Sequence, residues 1–150
     1  MENARAGAEI GRHATYFEDP DIIYMRLDGA VDEEAGAEIN RLHRLWGEQY
    51  RRVFYLLDLS KLEAIHPEVR KEASRTARLL PLAGVAAYGA PIKARVLAKL
   101  VFTAMNLFKA NAADRFPIEF VDTEAEARRW IDKRRSVLGP VPESAVPAPA

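Results

Sequence analysis

Three aspartates follow predicted strands, in the position where α/β proteins often bind their ligands. They are Asp28, Asp58 and Asp122. Carboxylates at the carboxyl edge of a parallel sheet could hold magnesium or accept a phosphoryl group. A site of that kind would pair two acids after an early strand and place a lysine after the last one, but Gly29 and Thr123 stand there. We therefore interpret the three aspartates as loop-capping residues.

The other residue types that catalyse reactions do not form a recognisable set. Ser60 and His66 are close only in sequence, and His66 precedes Pro67, which is typical of a helix entry. The chain has no cysteine, and its three histidines are far apart and lack metal-ligand spacing. No glycine-rich phosphate loop is present. The sequence predicts no enzyme, no cofactor and no metal.

Length and composition predict one globular domain. The chain has 150 residues, of which 49% are hydrophobic and 29% charged, enough for a substantial core. We expect a flexible N-terminus over residues 1–11, the domain over 12–138, and a disordered proline-rich tail over 139–150. The 22 cations balance 22 anions, which argues against a nucleic-acid partner. No segment has the length and apolarity of a membrane span or signal core, so we expect a cytoplasmic, bacterial-type protein.

The hydrophobic periodicity predicts strands and helices in alternation. Predicted strands cover 12–18, 22–28, 53–57, 85–88 and 117–121, and predicted helices begin near 32, 67, 91 and 124. The short turn at 19–21 implies that the first strand pairs antiparallel, whereas the helical crossovers imply parallel pairing elsewhere. We therefore predict an α/β fold with a mixed five-stranded sheet, four helices and the order ββαβαβαβα.

Three segments resemble the SpoIIAA-like family, which is related to STAS and CRAL-TRIO domains. They are Leu27-Asp28-Gly29-Ala30-Val31-Asp32, Leu57-Asp58-Leu59-Ser60, and the closing stretch from Phe120 through Trp130-Ile131. Their order and spacing cover nearly all of residues 13–132. The resemblance implies the fold described above and a non-catalytic, regulatory or ligand-carrying role.

The resemblance also implies an alternative function as a protein-interaction regulator. Related anti-sigma-factor antagonists carry a phosphorylatable serine a few residues after the strand that ends in Asp-Leu-Ser. Residues 62–69 of this chain contain no serine, threonine or tyrosine, so the phosphoswitch is not expected. A regulatory partner would then meet the surface formed by Asp58, Ser60, His66 and Glu68.

Residues 73–113 carry six lysines and arginines and no acidic residue, although the whole chain is neutral. Inside this stretch, the helix predicted over 91–110 has apolar side chains over an arc of about 240°, whereas packing on one sheet face needs only about 100°. The excess predicts a second apolar neighbour. Adjacent helices, a twin subunit or a lipid-like phase are all compatible with the pattern.

Our leading hypothesis is a non-enzymatic binding module that uses this helix. It would bind a hydrophobic small molecule, or an anionic lipid surface at the inner membrane face, and a homodimer is compatible with either. The residues predicted to form the binding surface are Arg95, Ala98, Lys99, Phe102, Met105 and Lys109. In this hypothesis Phe102 and Met105 enter the apolar phase while the cations meet anionic headgroups.

Overall fold

The computed structural model describes residues 6–107, 109 and 111–141. Six strands occur in these ranges: β1 (Ala6–Ile10), β2 (His13–Glu18), β3 (Ile22–Val31), β4 (Val53–Ile65), β5 (Leu82–Tyr88) and β6 (Ile118–Val121). The helices in the same ranges are α1 (Glu33–Gly47), α2 (Pro67–Leu79), α3 (Ile92–Leu107) and α4 (Glu124–Leu138), with a 3-10 turn at Ala112–Asp114.

The strands form one mixed sheet in which they lie side by side in chain order. The first three strands pair antiparallel, and β3 through β6 pair parallel through helical crossovers. The predicted α/β class, the mixed sheet and the four helices are therefore confirmed. The predicted number of five strands is wrong, because the sheet has six.

The additional strand is β1, which lies within the segment expected to be flexible. Ile10 pairs with His13, so Gly11 and Arg12 form a two-residue hairpin turn. Gly11 has a φ of +60°, a conformation that glycine adopts without steric cost. The hairpin lets β1 cover the outer edge of β2. Residues 1–5, and residues 142–150 of the expected tail, lie outside the described residues.

Strands β3 and β4 continue beyond their predicted ends and remain paired as far as Val31 and Ile65. Leu59 and Leu62 in the extension of β4 are buried, which explains why the chain stays extended there. Asp28 and Asp58 therefore lie inside strands rather than after them, whereas Asp122 directly follows β6.

The sheet separates two apolar layers. On β4, Val53, Tyr55 and Leu57 face the core shared with α1, α2 and α3, while Phe54 and Leu56 face the core shared with α4. All five side chains are buried. The strand predicted over 53–57 is therefore buried on both faces, which agrees with its continuous run of apolar residues.

Helix α2 packs mainly against α1 and α3 rather than on the strands. Two glycines of α1 allow a close approach: a Cβ on Gly36 would lie 2.3 Å from Val69, and one on Gly47 would lie 2.2 Å from Leu80. The early and late turns of α1 thus meet the early and late turns of α2. Helix α2 bridges its two neighbours above the sheet.

Candidate ligand cavity

An apolar cavity of about 80 Å³ lies between the sheet and helices α1, α2 and α3. Leu57, Leu59 and Leu62 of β4 line it from the sheet, and Val101 and Phe102 line it from α3. Protein interiors are normally close-packed, with few voids larger than a water molecule. A space of this size under a helix is therefore a notable gap in the core.

The gap follows from small side chains on the helices that cover it. Ala73 of α2 and Ala98 of α3 both border the cavity. Helix α2 packs mainly against α1 and α3 rather than on the strands, so short side chains such as Ala73 leave space between α2 and the sheet. The half-buried residues Ile65, Arg70 and Ala73 mark the side of the cavity that lies nearest to solvent.

A buried hydrogen-bonded chain stands beside the cavity. His43 Nδ1 lies 2.9 Å from the Tyr55 hydroxyl, and His43 Nε2 lies 2.9 Å from Thr15 Oγ1. Thr15 Oγ1 also donates its one proton to the Tyr24 carbonyl at 2.8 Å. Because that proton is used, Thr15 must accept from His43 Nε2–H, and the Tyr55 hydroxyl must then donate to Nδ1. These hydrogen bonds therefore fix the His43 tautomer that carries its proton on Nε2.

Burial keeps the side chains of His43 and Tyr55 uncharged. Desolvation lowers the pKa of His43 to about 3 and raises the pKa of the Tyr55 hydroxyl. Both side chains are therefore neutral near pH 7. With both ring nitrogens engaged, His43 has no lone pair available to act as a general base. The arrangement is suited to orienting side chains rather than to proton transfer.

Asn40 is a polar side chain in the wall of the cavity. It is buried and borders the cavity, and its amide makes no side-chain hydrogen bond with any described residue. Asn40 and Val69 also line a dimple on the outer surface between α1 and α2. These two residues therefore form a thin partition between the cavity and solvent.

Arg70 adds a positive charge at the rim. It is half-buried, borders the cavity, and has no side-chain partner among the residues that the structure describes. The Asn40 amide also lines the outer dimple, where it can exchange solvent for a ligand. An apolar space bordered by this amide and by a guanidinium can accept an apolar tail and an anionic head.

The structure corrects the predicted binding surface on α3. Ala98, Phe102 and Met105 are only 4%, 5% and 2% exposed. The prediction that Phe102 and Met105 face an external apolar phase is therefore wrong. These side chains belong to the core because their side of α3 packs on β4 and on Phe116.

The unpartnered apolar surface of α3 lies on the opposite side of the helix. Ile92, Val96, Leu100 and Leu107 are 82%, 56%, 60% and 72% exposed. Their spacing of three or four residues, with Thr103 between them, forms one row along the helix. The predicted apolar arc of about 240° includes this row, but the sequence pattern does not show which part of the arc meets the core.

The predicted cations of α3 have different surroundings. Arg95 and Lys99 are exposed, as predicted, and the Arg95 guanidinium lies 5.4 Å from the centre of the Phe120 ring. Lys109 instead donates to the carbonyls of Ala77 and Leu80 at 3.3 and 3.4 Å. Burial lowers the pKa of Lys109. It therefore holds the end of α2 and does not extend freely into solvent.

The residues of the alternative partner surface form two separate hydrogen-bonded pairs. The Asp58 carboxylate accepts from the Ser60 backbone N–H and hydroxyl at 3.1 and 2.7 Å. His66 caps α2, because its Nδ1 accepts from the Glu68 backbone N–H at 3.1 Å. Ser60, His66 and Glu68 are exposed and Asp58 is half-buried, and local capping explains the contacts that they make.

Sequence reasoning missed the polar residues beside the cavity. Asn40 and His43 lie on the buried side of α1 with Ile39 and Trp46. Polar side chains at helical spacing within an apolar stripe were the available signal. Their partner Tyr55 lies within the continuous run 53–57, where it was counted as an apolar packing residue.

Sequence reasoning also missed a polar network on the α4 side of the sheet. The hydroxyls of Tyr24 and Tyr88 lie 3.3 Å apart, and Tyr88 donates to Glu124 at 3.3 Å. Arg128 links Glu124 to Glu18 with bonds of 2.8 to 3.0 Å. Burial is the main cause that raises the pKa of Tyr88. The network ties α4 to the strands.

The described residues contain neither a cluster of metal-ligand side chains nor a helix that could span a membrane. No group of three or more histidine, cysteine or acidic side chains among them is placed to hold a metal ion. None of their helices combines the length and the hydropathy needed to cross a bilayer.

Comparison with known proteins identifies the fold. No family model matches the chain, and no curated protein matches it. A solved structure that does match is an uncharacterized protein of the DUF3478 family, with a SpoIIAA-like fold, from Shewanella loihica PV-4. The match has a TM-score of 0.53 and 14% identity, and it covers 87% of this chain and 97% of the other. The chain therefore has a SpoIIAA-like fold, as its sequence motifs predicted.

Proposed function

We propose that this protein is a non-enzymatic binding module that holds a small hydrophobic molecule with an anionic end in the cavity beneath α2. The observation that carries the proposal is the apolar cavity bordered by the Asn40 amide, which makes no side-chain hydrogen bond with a described residue. The ligand class agrees with the sequence hypothesis, but the site moves from the outside of α3 to its inner side.

The dimensions of the cavity favour a short ligand. A water-sized group needs about 10–15 Å³ by this measure, so a space of about 80 Å³ accommodates roughly five to eight non-hydrogen atoms. A short aliphatic carboxylate such as hexanoate has this size. Its chain would contact Leu57 and Val101, and its carboxylate would accept from the Asn40 amide and pair with Arg70.

The surroundings of the cavity support binding without catalysis. His43 is held neutral with both nitrogens engaged, and the Tyr55 hydroxyl is committed as a donor to it. Neither group is poised to attack or to deprotonate a ligand. The proposed role of the hydrogen-bonded chain is to hold the polar side of the cavity in one arrangement.

Titration with hexanoate, followed by amide chemical shifts, tests the proposal. Hexylamine has the same chain length and the opposite charge, and serves as the control ligand. We expect saturable shifts with hexanoate that concentrate around the cavity, and at least roughly tenfold weaker binding of hexylamine. Equal shifts with both ligands, or no saturable shifts with hexanoate, would contradict the proposal.

A matched pair of variants on α3 locates the binding site. Ala98 borders the cavity, whereas Ala94, one turn earlier, is equally buried but does not border it. Ala98→Leu should fill the cavity, remain folded and lose hexanoate binding. Ala94→Leu should lower the free energy of unfolding by about 1–3 kcal/mol through overpacking and retain binding. Unchanged binding in Ala98→Leu would place the ligand elsewhere.

The exposed row on α3 favours a second candidate function, docking on an anionic membrane surface. Leu100 and its row neighbours are flanked by exposed Lys93 and Lys99, and residues 73–113 contain no acid. An apolar row between cations is the pattern by which a helix lies in a lipid interface. Co-sedimentation with vesicles that contain 30% phosphatidylglycerol would test this role.

The vesicle experiment has a matched control on another helix. Leu100→Asp should abolish pelleting, while Val137→Asp, which alters an equally exposed aliphatic residue of α4, should leave it unchanged. Pelleting that is equal for wild type and Leu100→Asp would exclude this surface. The regulatory-protein alternative at Asp58, Ser60, His66 and Glu68 remains a prediction.

A further inference from the structure

A basic groove lies at the edge of the sheet where the parallel strands begin. The C-terminal ends of α1, α2 and α4 meet there, together with the segment that follows α3. The cations that line the groove are Arg51, Arg52, Arg78, Lys109, Arg115 and Arg134, and the carboxylates that line it are Glu48 and Asp114. The groove therefore has a strong positive excess within a neutral chain.

Backbone carbonyls hold several of these cations in place. Arg52 Nη1 donates to the Gly139 carbonyl at 2.8 Å, Arg134 Nε donates to the Ala83 carbonyl at 3.1 Å, and Lys109 donates to the end of α2. These backbone carbonyls carry only partial negative charge, so they orient the cations without neutralising them. The structure thus fixes the positions of the positive charges.

Four of the six cations have no carboxylate within ion-pair distance among the described residues: Arg52, Lys109, Arg115 and Arg134. Arg115 is exposed and makes no side-chain hydrogen bond with those residues. The buried Nε of Arg52 has no hydrogen-bond partner either. Cations that are close together and unpaired repel one another, and a bound anion would remove that repulsion.

The groove also differs from the opposite edge of the sheet. Asp28, Asp58 and Asp122 lie towards the edge where the parallel strands end, which is the usual ligand side of an α/β sheet. There Asp28 pairs with Arg12 at 2.7 Å, while Asp58 and Asp122 have no ion-pair partner among the described residues. The positive excess of the groove lies at the edge where the strands begin.

We propose that this groove binds a multiply charged phosphoryl group. Planar guanidinium groups match the geometry of phosphate oxygens, and the excess of cations requires more than one negative charge for balance. Leu79 and Leu138 also line the groove, so the phosphoryl group could belong to a free anion or to a lipid headgroup. This site is separate from the cavity beneath α2.

Calorimetry with inorganic pyrophosphate tests the site, with inorganic phosphate and chloride at matched ionic strength as controls. We expect saturable binding of pyrophosphate by the full chain, and roughly tenfold weaker binding after Arg115→Gln. Arg129→Gln removes an exposed cation of α4 that does not line the groove and should leave the affinity unchanged. A parallel experiment measures pelleting, in the absence of pyrophosphate, with vesicles that contain phosphatidic acid, whose phosphomonoester can carry two negative charges.

The two arms distinguish the sources of the phosphoryl group. Pyrophosphate binding that weakens only in Arg115→Gln supports a free anion, and vesicle pelleting that weakens in Arg115→Gln but persists in Leu100→Asp supports a lipid headgroup. The proposal is overturned if neither probe binds. It is also overturned if Arg115→Gln and Arg129→Gln weaken binding equally, since the attraction would then reflect overall charge.

Discussion

Both sides of α3 carry apolar side chains, but one side is buried in the core and the other is exposed to solvent. Phe102 and Met105 are enclosed by the sheet and neighbouring helices, while Val96 and Leu100, within two turns of them, remain exposed. Periodicity reports how wide the apolar arc is, but not which part of it meets the core. Which side of α3 is buried therefore depends on where α2 and the strands lie, and this is a property of the tertiary structure.

The largest expected difference in unfolding free energy is between side-chain truncations on the two sides of α3. Phe102→Ala should lower the free energy of unfolding by about 3–5 kcal/mol, because it removes a buried ring that contacts Tyr55 and Phe116. Leu100→Ala should change it by no more than about 0.5 kcal/mol. Urea denaturation measures both values, and similar losses would mean that the two sides are wrongly assigned.

The second prediction concerns the pH dependence of the free energy of unfolding, to which the buried His43 contributes. Burial lowers the pKa of His43 from 6.5 to about 3. Between these values the unfolded chain binds a proton that the folded chain does not, so stability falls as the pH drops through this window. The expected loss from this residue approaches about 1.4 kcal/mol per pH unit.

The contribution of His43 is isolated by comparison with a variant. His43→Gln keeps hydrogen-bonding capacity towards Tyr55 and Thr15 but does not titrate. The difference in unfolding free energy between wild type and variant should shrink as the pH falls from 6.5 towards 3. A difference that stays constant over this range would contradict the neutral, buried histidine.

The third prediction concerns the contact that positions α2 above the cavity. Gly36→Ala should cost about 1–3 kcal/mol, because the new methyl group would collide with Val69. The double variant with Val69→Ala should recover part of this loss, since the smaller side chain makes room. Thermal unfolding measures both, and additive losses would argue against a tight crossing at this point.

The smallest expected change in stability is that of a substitution on the exposed side of α3. Leu100→Asp should leave the thermal midpoint nearly unchanged, within about 0.5 kcal/mol of stability, because this side chain lacks a covering neighbour among the described residues. A large destabilisation of the monomeric protein would show that the row is buried. Circular dichroism at micromolar concentration is sufficient for the measurement.

Local signals in the sequence predicted much of the fold. Asp32 caps α1, and Thr123 with Glu126 forms the capping box of α4, at two of the predicted helix starts. Both signals depend on residues within one turn, so they do not require tertiary information. Pro67 likewise occupies the first turn of α2.

The missed features depend on partners distant in sequence. Strand β1 forms by pairing with the edge of β2. The sequence of β1 is rich in alanine and glycine and has no strong strand pattern. The cavity depends on how α2 rests on α1 through Gly36, a contact invisible to periodicity. Asn40 and His43 were recognisable as polar residues in an apolar stripe, but their convergence on one cavity was not.

The central claim is that a small hydrophobic anion binds on the inner side of α3. Isotope-filtered nuclear Overhauser spectra of labelled protein with unlabelled hexanoate test it directly. The account predicts contacts from the hexanoate methyl and methylene protons to the methyl groups of Leu57 and Val101. Contacts confined to Ile92, Val96 and Leu100 would contradict it and would assign ligand binding to the outer side.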